Sequence, residues 1–376
     1  MTITYELLEQ NSDLKIAIID KEADVAKHAS GRNSGVLHAG FYYSADSLKA
    51  KLTVDGNRLM KKFCKENDIY VNNTQKIVVA KDKSELEGLY ELQKRAEVNG
   101  VDTKIIDEKE VEALDQNIKT YQKALFSPTT ASVDPKEVCF KLKDILIAKG
   151  IKFYFNTSFN DCELEYEYLI NCAGSYADKV ARKFNCSKNY TMLPFKGIYM
   201  KYITNKTAIK TNIYPVPNLA NPFLGVHYTI TVDGSIKIGP TAIPAFWREN
   251  YKGFENFNLY EMLETVYYEI KLFILNSFNF RYLAINEMKN YNKKTFIQKA
   301  KDMVKNIGDD FKPMPAGIRA QLLNTKTNEL VQDFVVEHAL KSTHVLNAVS
   351  PAFTCSFAFA KYVTTEIENN RKTDVK

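Results

Sequence analysis

The chain has 376 residues, a formal net charge of +6, and 45% hydrophobic against 26% charged residues. This length suggests two domains with sizeable cores, and the composition is that of an ordinary globular protein, which excludes collagen-like and disordered chains. The 51 basic and 45 acidic residues are spread along the chain, so there is no basic block of the kind that binds nucleic acid.

Cysteine usage and hydropathy indicate where the protein works. The six cysteines include no C-x-x-C pair, which argues against a disulfide framework and a zinc site and suits a reducing cytoplasm. We predict no bound metal. The sequence shows neither a signal peptide nor an apolar run of about 18 residues. We therefore expect a cytoplasmic protein, at most peripheral on the inner face of the membrane.

The first elements are typical of a dinucleotide-binding fold. Residues 3–10 are predicted to form the end of a helix, and residues 15–20 a buried strand that ends in Asp20. An acid at this place accepts hydrogen bonds from an adenosine ribose, although an Asp that only solvates a turn is the simpler interpretation of the residue alone. The glycine-rich turn G-x-G-x-x-G that should precede the helix does not occur. We expect either another fold or the absence of about fifteen N-terminal residues of the usual unit, which would weaken cofactor binding.

Helices and strands follow in alternation. We predict helices at 47–67, 83–99 and 134–149, and strands at 75–80 and 151–155. Asp134 and Pro135 are favoured residues at a helix start. Residues 168–175 predict a strand, a turn of small residues at Ala173 and Gly174, and a helix start. This turn is a second place where the backbone could approach a cofactor.

The second half of the chain begins with a different pattern. Residues 192–241 form long alternating strands with a hairpin turn at Asp233-Gly234, which predicts an antiparallel sheet. Residues 255–306 are predicted to be helical and aromatic-rich, and a helical cap packed on the sheet is favoured over a membrane-contact surface. Strands at 331–336 and 344–348 and a helix after Ser350-Pro351 then return to the first pattern.

These patterns together predict an α/β fold. We expect a discontinuous, Rossmann-like cofactor domain and an antiparallel-sheet α+β substrate domain. The cofactor domain is predicted to comprise residues 1–75, 130–190 and 315–376, and the substrate domain with its helical cap residues 76–129 and 191–314.

The most informative motif is SGRNSG at residues 30–35, followed by VLHAG. Its two glycines and small polar residues offer N–H groups and hydroxyls to an anion, and Arg32 can neutralise a pyrophosphate. Together with this motif, several segments resemble the L-2-hydroxyglutarate oxidase/dehydrogenase family, which belongs to the D-amino-acid-oxidase-like, FAD-dependent superfamily. These segments are LINCAGSYADKVA, PFKGIYMKY, IYPVPNLANPFLGVHYT, GPTAIPAF, PAGIRAQL and HVLNAVSPAFTCSFAFA. The resemblance extends over nearly the whole chain in the family's order.

The resemblance implies that the cofactor is FAD. The residues implied to bind it are Asp20, Ser30, Arg32, Asn33, Ser34, Gly35, Ala173, Gly174, Ser350, Pro351 and Thr354. Some relatives in the superfamily link the flavin to a cysteine. Cys355 lies in an alanine-rich helix and is better explained by packing. We therefore predict non-covalent FAD.

Oxidation of a 2-hydroxy acid needs a hydride acceptor, a base for the hydroxyl proton and groups that hold the carboxylates. We predict His227 as the base, because an imidazole titrates near the working pH. Arg319 is the predicted carboxylate clamp, because a planar guanidinium binds a carboxylate bidentately; its rival role is a structural salt bridge. The residues expected to line the pocket are His38, Tyr43, Lys196 and Tyr199.

The resemblance implies oxidation of a small 2-hydroxy dicarboxylate, L-2-hydroxyglutarate, to 2-oxoglutarate by hydride transfer to FAD. The alternatives are another small anionic substrate, such as an amino acid or glycerol 3-phosphate, and an inactive, flavin-free remnant of the fold. The electron acceptor is left open between a quinone and oxygen.

Overall fold

The computed structural model describes residues 1–204, 209–217 and 225–374. Residues 218–224, which belong to the IYPVPNLANPFLGVHYT motif, lie outside the described residues. The helices are α1 (Thr2–Gln10), α2 (Leu48–Glu66), α3 (Leu86–Val98), α4 (Glu108–Leu114), α5 (Pro135–Ala148), α6 (Ala177–Arg182), α7 (Leu259–Leu275), α8 (Phe280–Met288), α9 (Lys293–Lys301) and α10 (Ala352–Asp374). The strands are β1 (Ala17–Ile19), β2 (Val36–Leu37), β3 (Lys76–Val79), β4 (Lys104–Asp107), β5 (Lys123–Ser127), β6 (Ala131–Ser132), β7 (Lys152–Tyr154), β8 (Leu169–Asn171), β9 (Tyr190–Gly197), β10 (Met200–Tyr202), β11 (Asn212–Pro215), β12 (His227–Ile230), β13 (Ile236–Gly239), β14 (Ile243–Pro244), β15 (Phe311–Pro313), β16 (Gly317–Asn324), β17 (Glu329–Leu330), β18 (Val335–Ala339) and β19 (Ser342–Asn347).

Two pairs of parallel strands carry the predicted cofactor turns. β1 pairs with β7, and β8 pairs with β19, to which β18 adds an antiparallel edge. In open α/β sheets, ligands bind beyond the carboxyl ends of the strands. The segments that follow β1 and β8 meet there, because the Lys21 ammonium lies 5.6 Å from the centre of the Tyr176 ring.

Helices α2 and α10 pack closely beside these strands. A Cβ at Gly56 of α2 would stand 2.6 Å from Cα of Cys355 in α10, so a residue larger than glycine cannot be accommodated there without a shift. The Thr354 hydroxyl donates to the carbonyl of Val36 at 3.2 Å and accepts from the N–H of His38 at 3.1 Å. This contact fixes the first turn of α10 against β2, next to residues 30–35.

A mixed sheet of eight strands lies on the other side of the site, in the order β15-β10-β13-β12-β11-β3-β5-β4. β3 and β11 run parallel, and the remaining neighbours are antiparallel. Side chains alternate between the two faces of a strand. One face, with Ile77, Ile213 and Tyr228, packs into a large apolar cluster. The opposite face therefore carries Lys76 and His227.

Another sheet, β14-β9-β16-β17, is antiparallel and lies against the helical cap. Leu193 and Phe195 of β9 share an apolar cluster with Leu272 of α7 and with Phe280 and Leu283 of α8. The cap is thus anchored to this sheet through few buried side chains.

The predicted helices and strands occur for the most part at their predicted places. The strand predicted at 331–336 begins only at Val335, because the Asp333 carboxylate turns away to accept the N–H groups of Leu48 and Lys49 at the start of α2. The segment from β4 through α4 to β5 is not predicted by the sequence patterns. It adds an edge to the eight-stranded sheet.

The division into two domains stays a prediction. In its favour, the eight-stranded sheet takes its strands from residues 76–127 and 200–313. β16, which lies in the predicted cofactor domain, pairs along its whole length with β9 of the predicted substrate domain.

Candidate active site

The polar face of the eight-stranded sheet brings a histidine, a tyrosine and a lysine together. Tyr214 of β11 and His227 of β12 stack with their ring centres 3.7 Å apart and their planes at 17°. The Lys76 ammonium lies 4.0 Å from the centre of the Tyr214 ring. All three residues are buried.

His227 is arranged to accept a proton. Its Nδ1 lies 2.9 Å from the carbonyl oxygen of Gly225, and because a carbonyl only accepts, this contact places the proton on Nδ1 and the lone pair on Nε2. Burial, assisted by the charges of Lys76 and Arg319, lowers the pKa of His227 to about 3. The imidazole is therefore neutral at neutral pH.

His38, predicted to line the pocket, is a second buried imidazole in the same site. Burial, assisted by the nearby basic side chains of Lys76 and Arg319, holds its pKa well below the ordinary value. Its Nδ1 is buried without a hydrogen-bond partner among the described residues. A buried polar atom of this kind indicates a missing ligand or water.

Arg319 faces the site from β16, together with the predicted pocket tyrosines. Desolvation lowers its pKa, against the opposing influence of Tyr199 and Tyr43. Burial raises the pKa of Tyr199 to about 12, and its hydroxyl interacts with the side chain of Ser34 in the loop at 30–35. A Cβ at Gly317 would stand 2.9 Å from the Arg32 carbonyl oxygen. The strand that carries Arg319 thus contacts this loop, and the charge of Arg319 acts on both imidazoles.

The structure does not bring Lys196 to this cluster. Across the β9–β16 pair, Arg319 lies opposite Phe195 and Lys196 lies opposite Ile318. Because successive residues of a strand face opposite sides, Arg319 and Lys196 project from different faces of the sheet. The Lys196 ammonium donates instead to the Asn250 side chain at 3.0 Å.

The loop at residues 30–35 is held in shape by its own polar groups. The Asn33 amide donates to the carbonyls of Ala29 and Ser30 and accepts the N–H of Gly35. Gly35 has φ +75°, and a Cβ there would stand 2.3 Å from the Val133 carbonyl oxygen, which explains the glycine.

Arg32 makes more contacts within the protein than the sequence suggests. Its guanidinium donates to the carbonyls of Lys27 at 2.7 Å and Ala316 at 3.3 Å, and it lies 4.2 Å from the centre of the Tyr251 ring. The role predicted for Arg32 at a pyrophosphate stays a prediction. Its contacts join the loop to β16 and to the segment before the cap.

The turns beyond the parallel strands leave room for FAD. Gly174 has φ +57°, and no atom lies within 4 Å of where its Cβ would be. Ala173, Ser30 and Ser350 are exposed small residues, and Pro351 is buried at the start of α10. Asp20 follows β1, half-buried, and one of its carboxylate oxygens accepts the N–H of Glu22. These accessible small residues and the acid are compatible with a bound dinucleotide.

Cys355 does not have the character of a flavin-linking nucleophile. It is fully buried between α2 and α10, and its sulfur lies 3.4 Å from the Thr53 hydroxyl. Burial raises its pKa to about 12. The thiolate form that reacts is therefore scarce at neutral pH.

His28 lies near two acidic residues that could bind a metal with it, although their spacing in the sequence does not indicate such a site. Glu22, His28 and Glu249 place ligand atoms within 4.8 Å of one another. The Lys21 ammonium lies 2.5 Å from a carboxylate oxygen of each glutamate. Since the Lys21 ammonium already bridges the two carboxylates, the cluster is explained as an ion-pair network.

Sequence reasoning missed Lys76 and Tyr214. Lys76 is the polar first residue of an otherwise apolar strand, KIVV, which reads as a strand end that solvent would reach. Only the pairing of β3 with β11 reveals that it is enclosed by aromatic rings.

Comparisons with known proteins agree with this geometry. A model of the family described as FAD dependent oxidoreductase matches residues 1–366. The mitochondrial L-2-hydroxyglutarate dehydrogenase of Caenorhabditis briggsae is 36% identical, over 96% of this chain and 89% of that protein. The protein of the same name from Dictyostelium discoideum is 33% identical, over 98% and 90%.

Among solved structures, L-alpha-glycerophosphate oxidase from Mycoplasma pneumoniae with FAD bound has a TM-score of 0.72 at 19% identity, over 96% of this chain and 89% of that one. This similarity confirms the predicted α/β fold, and the family match confirms FAD as the cofactor. The chain therefore belongs to the family of FAD-dependent oxidoreductases that includes these L-2-hydroxyglutarate dehydrogenases.

Proposed function

We propose that this protein oxidises L-2-hydroxyglutarate to 2-oxoglutarate with FAD as the hydride acceptor. The observation that carries the proposal is the buried pair His38 and His227, which lies close to the basic side chains of Lys76 and Arg319. A buried site of one charge sign is costly unless an opposite charge enters it. Such a site favours an anionic substrate, and the names of the relatives supply the choice among anions.

In this reaction Arg319 holds the carboxylate next to the carbinol carbon, because its guanidinium fits a carboxylate bidentately. His227 Nε2 accepts the proton of the hydroxyl group as the carbon–oxygen double bond forms. A carboxylate near an imidazole raises its pKa, so the substrate itself makes His227 a stronger base than it is in the empty site. Bound FAD supplies the acceptor for the hydride that leaves the carbinol carbon.

The cofactor is proposed to be held without a covalent bond by the residues after β1, β8 and β19. The groups that would surround it are Ser30, Ser34, Gly35, Ala173, Gly174, Ser350 and the first turn of α10. Thr354 supports this site indirectly, since its hydroxyl is already bonded to Val36 and His38.

Product analysis tests the proposal. The FAD-loaded protein, mixed without oxygen with L-2-hydroxyglutarate, should lose its flavin absorbance and release one 2-oxoglutarate for each flavin reduced. If the flavin stays oxidised with this substrate, the proposal fails. Reduction by glycerol 3-phosphate or an amino acid instead would identify another substrate for the same site.

The electron acceptor is proposed to be a membrane quinone, reached from the cap. Among the described residues, no helix is long and apolar enough to cross a membrane. Helix α7, however, buries Glu261 and Thr265 and leaves Tyr267 60% and Ile274 64% exposed. An exposed apolar helix face of this kind can lie in the interface between a membrane and water.

Lipid is the proposed occupant of this face, because Lys271 lies among Tyr267, Ile270, Ile274 and Leu275 and offers its charge to anionic headgroups. The protein would then be located at the inner face of the membrane. Wild-type protein should sediment with vesicles that contain anionic lipid, and Ile274→Glu should not, while both are reduced equally by substrate. Val98→Glu, at a 66% exposed site on α3, is the control. Equal binding of all three would disprove this docking surface.

A further inference from the structure

Lys76 lies in an apolar, aromatic environment that is unfavourable for an ammonium group. Its side chain is fully buried, and its ammonium has no hydrogen-bond partner in the part of the chain that the structure describes. The rings of Tyr214, Tyr42 and Phe41 surround it, with centres at 4.0, 5.1 and 5.6 Å. Ring faces attract a cation but do not replace the hydrogen bonds of water.

Lys237, on the same face of the sheet, shows what a compensated buried lysine looks like. It is 7% exposed and lies 5.4 Å from the centre of the Tyr199 ring. Burial lowers the pKa of Lys237 to about 8, and the carboxylate of Asp233 opposes this shift by favouring the charged form. Within the described part of the chain, no carboxylate is found to act on Lys76, and burial lowers its pKa to about 7.

The position of Lys76 relative to Arg319 suggests what its partner is. Arg319 lies on the side of the loop at 30–35, where Ser34 meets Tyr199. Lys76 lies beyond the stacked rings of Tyr214 and His227, on β3. The two cations thus approach the imidazoles from different elements, β16 and β3.

We infer that Lys76 binds the second carboxylate of a dicarboxylate substrate while Arg319 binds the first, so that Lys76 determines the preference for diacids. The inference rests on the proposed function, which needs only one carboxylate clamp. A carboxylate at Lys76 supplies the missing hydrogen-bond acceptor and countercharge of the ammonium. It also fixes the far end of the substrate, which orients the carbinol carbon.

Proton uptake follows from this assignment. The titratable groups that face Lys76 are His38, His227, Tyr42 and Tyr214. Burial lowers the pKa values of the two histidines and raises those of the two tyrosines. All four groups are therefore neutral near pH 8. The empty protein holds Lys76 largely neutral above pH 7, whereas the complex holds it charged. Binding of a diacid therefore takes up a proton at pH 8 and weakens as the pH rises.

The test compares two acids of the same chain length. L-2-hydroxyvalerate carries a methyl group where L-2-hydroxyglutarate carries its second carboxylate. In the FAD-loaded enzyme, Lys76→Met should lower kcat/KM for L-2-hydroxyglutarate by about 100-fold or more, and change that for L-2-hydroxyvalerate by less than about 3-fold. Lys237→Met is the matched variant at a buried lysine of the same face, and it should keep the diacid preference.

Binding and stability give readouts independent of turnover. Calorimetry of 2-oxoglutarate binding at pH 8, in buffers of different ionisation enthalpy, should show proton uptake in the wild type and none in Lys76→Met. Because a buried amine without a hydrogen-bond partner is replaced by an apolar side chain, Lys76→Met should also unfold at a higher temperature than the wild type when no ligand is present.

Each outcome decides the question. An equal loss of activity toward both acids, or an unchanged diacid preference in Lys76→Met, would overturn the assignment. A lost preference in Lys237→Met instead would transfer the role to Lys237 and refute the role of Lys76. If the wild type itself does not oxidise L-2-hydroxyglutarate, the proposed function fails first, and that result is distinct from a wild type that prefers the diacid through another residue.

Discussion

The buried ion pair of Arg248 offers a quantitative test of how the cap is joined to the rest of the protein. Arg248 is 1% exposed, and its guanidinium donates to both carboxylate oxygens of Asp178 in α6, to the Ser175 carbonyl and to Glu264 of α7. Its backbone N–H donates to Glu261 of α7. One side chain thus links the turn after β8 with the cap.

Arg248→Met removes the guanidinium and leaves Asp178, which is fully buried, without its main partner. Breaking a buried pair from one side costs about 3–5 kcal/mol. With an unfolding entropy of about 2.1 cal/mol/K per residue, a chain of 376 residues should lose about 4–6 °C in Tm. Asp178 keeps a hydrogen bond from the N–H of Met192 at 3.3 Å, so we expect the loss in Tm to lie near the lower end of this range.

Differential scanning calorimetry at neutral pH measures this shift. Arg182→Met is the control, because Arg182 reaches the same carboxylate at 3.5 Å but is 42% exposed, and an exposed pair contributes about 1 kcal/mol at most. Burial alone would raise the pKa of Asp178, but the pair with Arg248 outweighs this and lowers it. The pair therefore adds to the free energy of unfolding at pH values above the ordinary pKa of an aspartate. This addition is lost as the pH falls through the lowered pKa of Asp178. The gap between wild type and Arg248→Met should therefore narrow in acid. Equal shifts in the two variants, or a gap that widens in acid, would refute the reasoning.

Three further substitutions test the site. His227→Ala should keep its flavin spectrum but slow anaerobic reduction by L-2-hydroxyglutarate by about 100-fold or more, the usual scale of a lost general base; stopped-flow rates near those of the wild type would remove His227 from catalysis. Arg319→Lys should raise the dissociation constant of 2-oxoglutarate although charge is retained, because an ammonium lacks the bidentate fork; unchanged affinity in a flavin-absorbance titration would leave Arg319 a structural role. Cys355→Ser should bind FAD that acid precipitation releases, as in the wild type, whereas flavin that stays with the wild-type pellet would show a covalent bond.

Local patterns in the sequence were sufficient to predict the elements that carry the proposed cofactor site. Asp134 caps α5 and Ser47 caps α2, and the loop at 30–35 is shaped by its own glycines and Asn33, so short-range chemistry specifies these parts. The late start of the strand predicted at 331–336, which begins only at Val335, could not be predicted in the same way, because the Asp333 carboxylate accepts N–H groups of a helix far away in the chain.

The substrate side of the site depended on pairing between distant strands. His227 and Arg319 were predicted from motifs, and their roles stay predictions. The enclosure of Lys76 follows from the parallel pairing of β3 with β11, which no local pattern indicates. Lys196 shows the converse: its motif placed it near the pocket, and the register of β9 against β16 turns it to the other face. A register shift of one residue decides such assignments.

Anaerobic reduction of the flavin by a panel of substrates tests the central claim most directly. The protein, reconstituted with FAD, is mixed separately with L- and D-2-hydroxyglutarate, L-lactate, glycerol 3-phosphate and L-glutamate, and the loss of flavin absorbance is followed. A site that holds two carboxylates predicts rapid reduction by L-2-hydroxyglutarate, far slower reduction by L-lactate, which lacks the second carboxylate, and none by the D enantiomer, whose hydroxyl would take the place of the transferred hydrogen. Faster reduction by L-glutamate or glycerol 3-phosphate than by L-2-hydroxyglutarate would contradict the account.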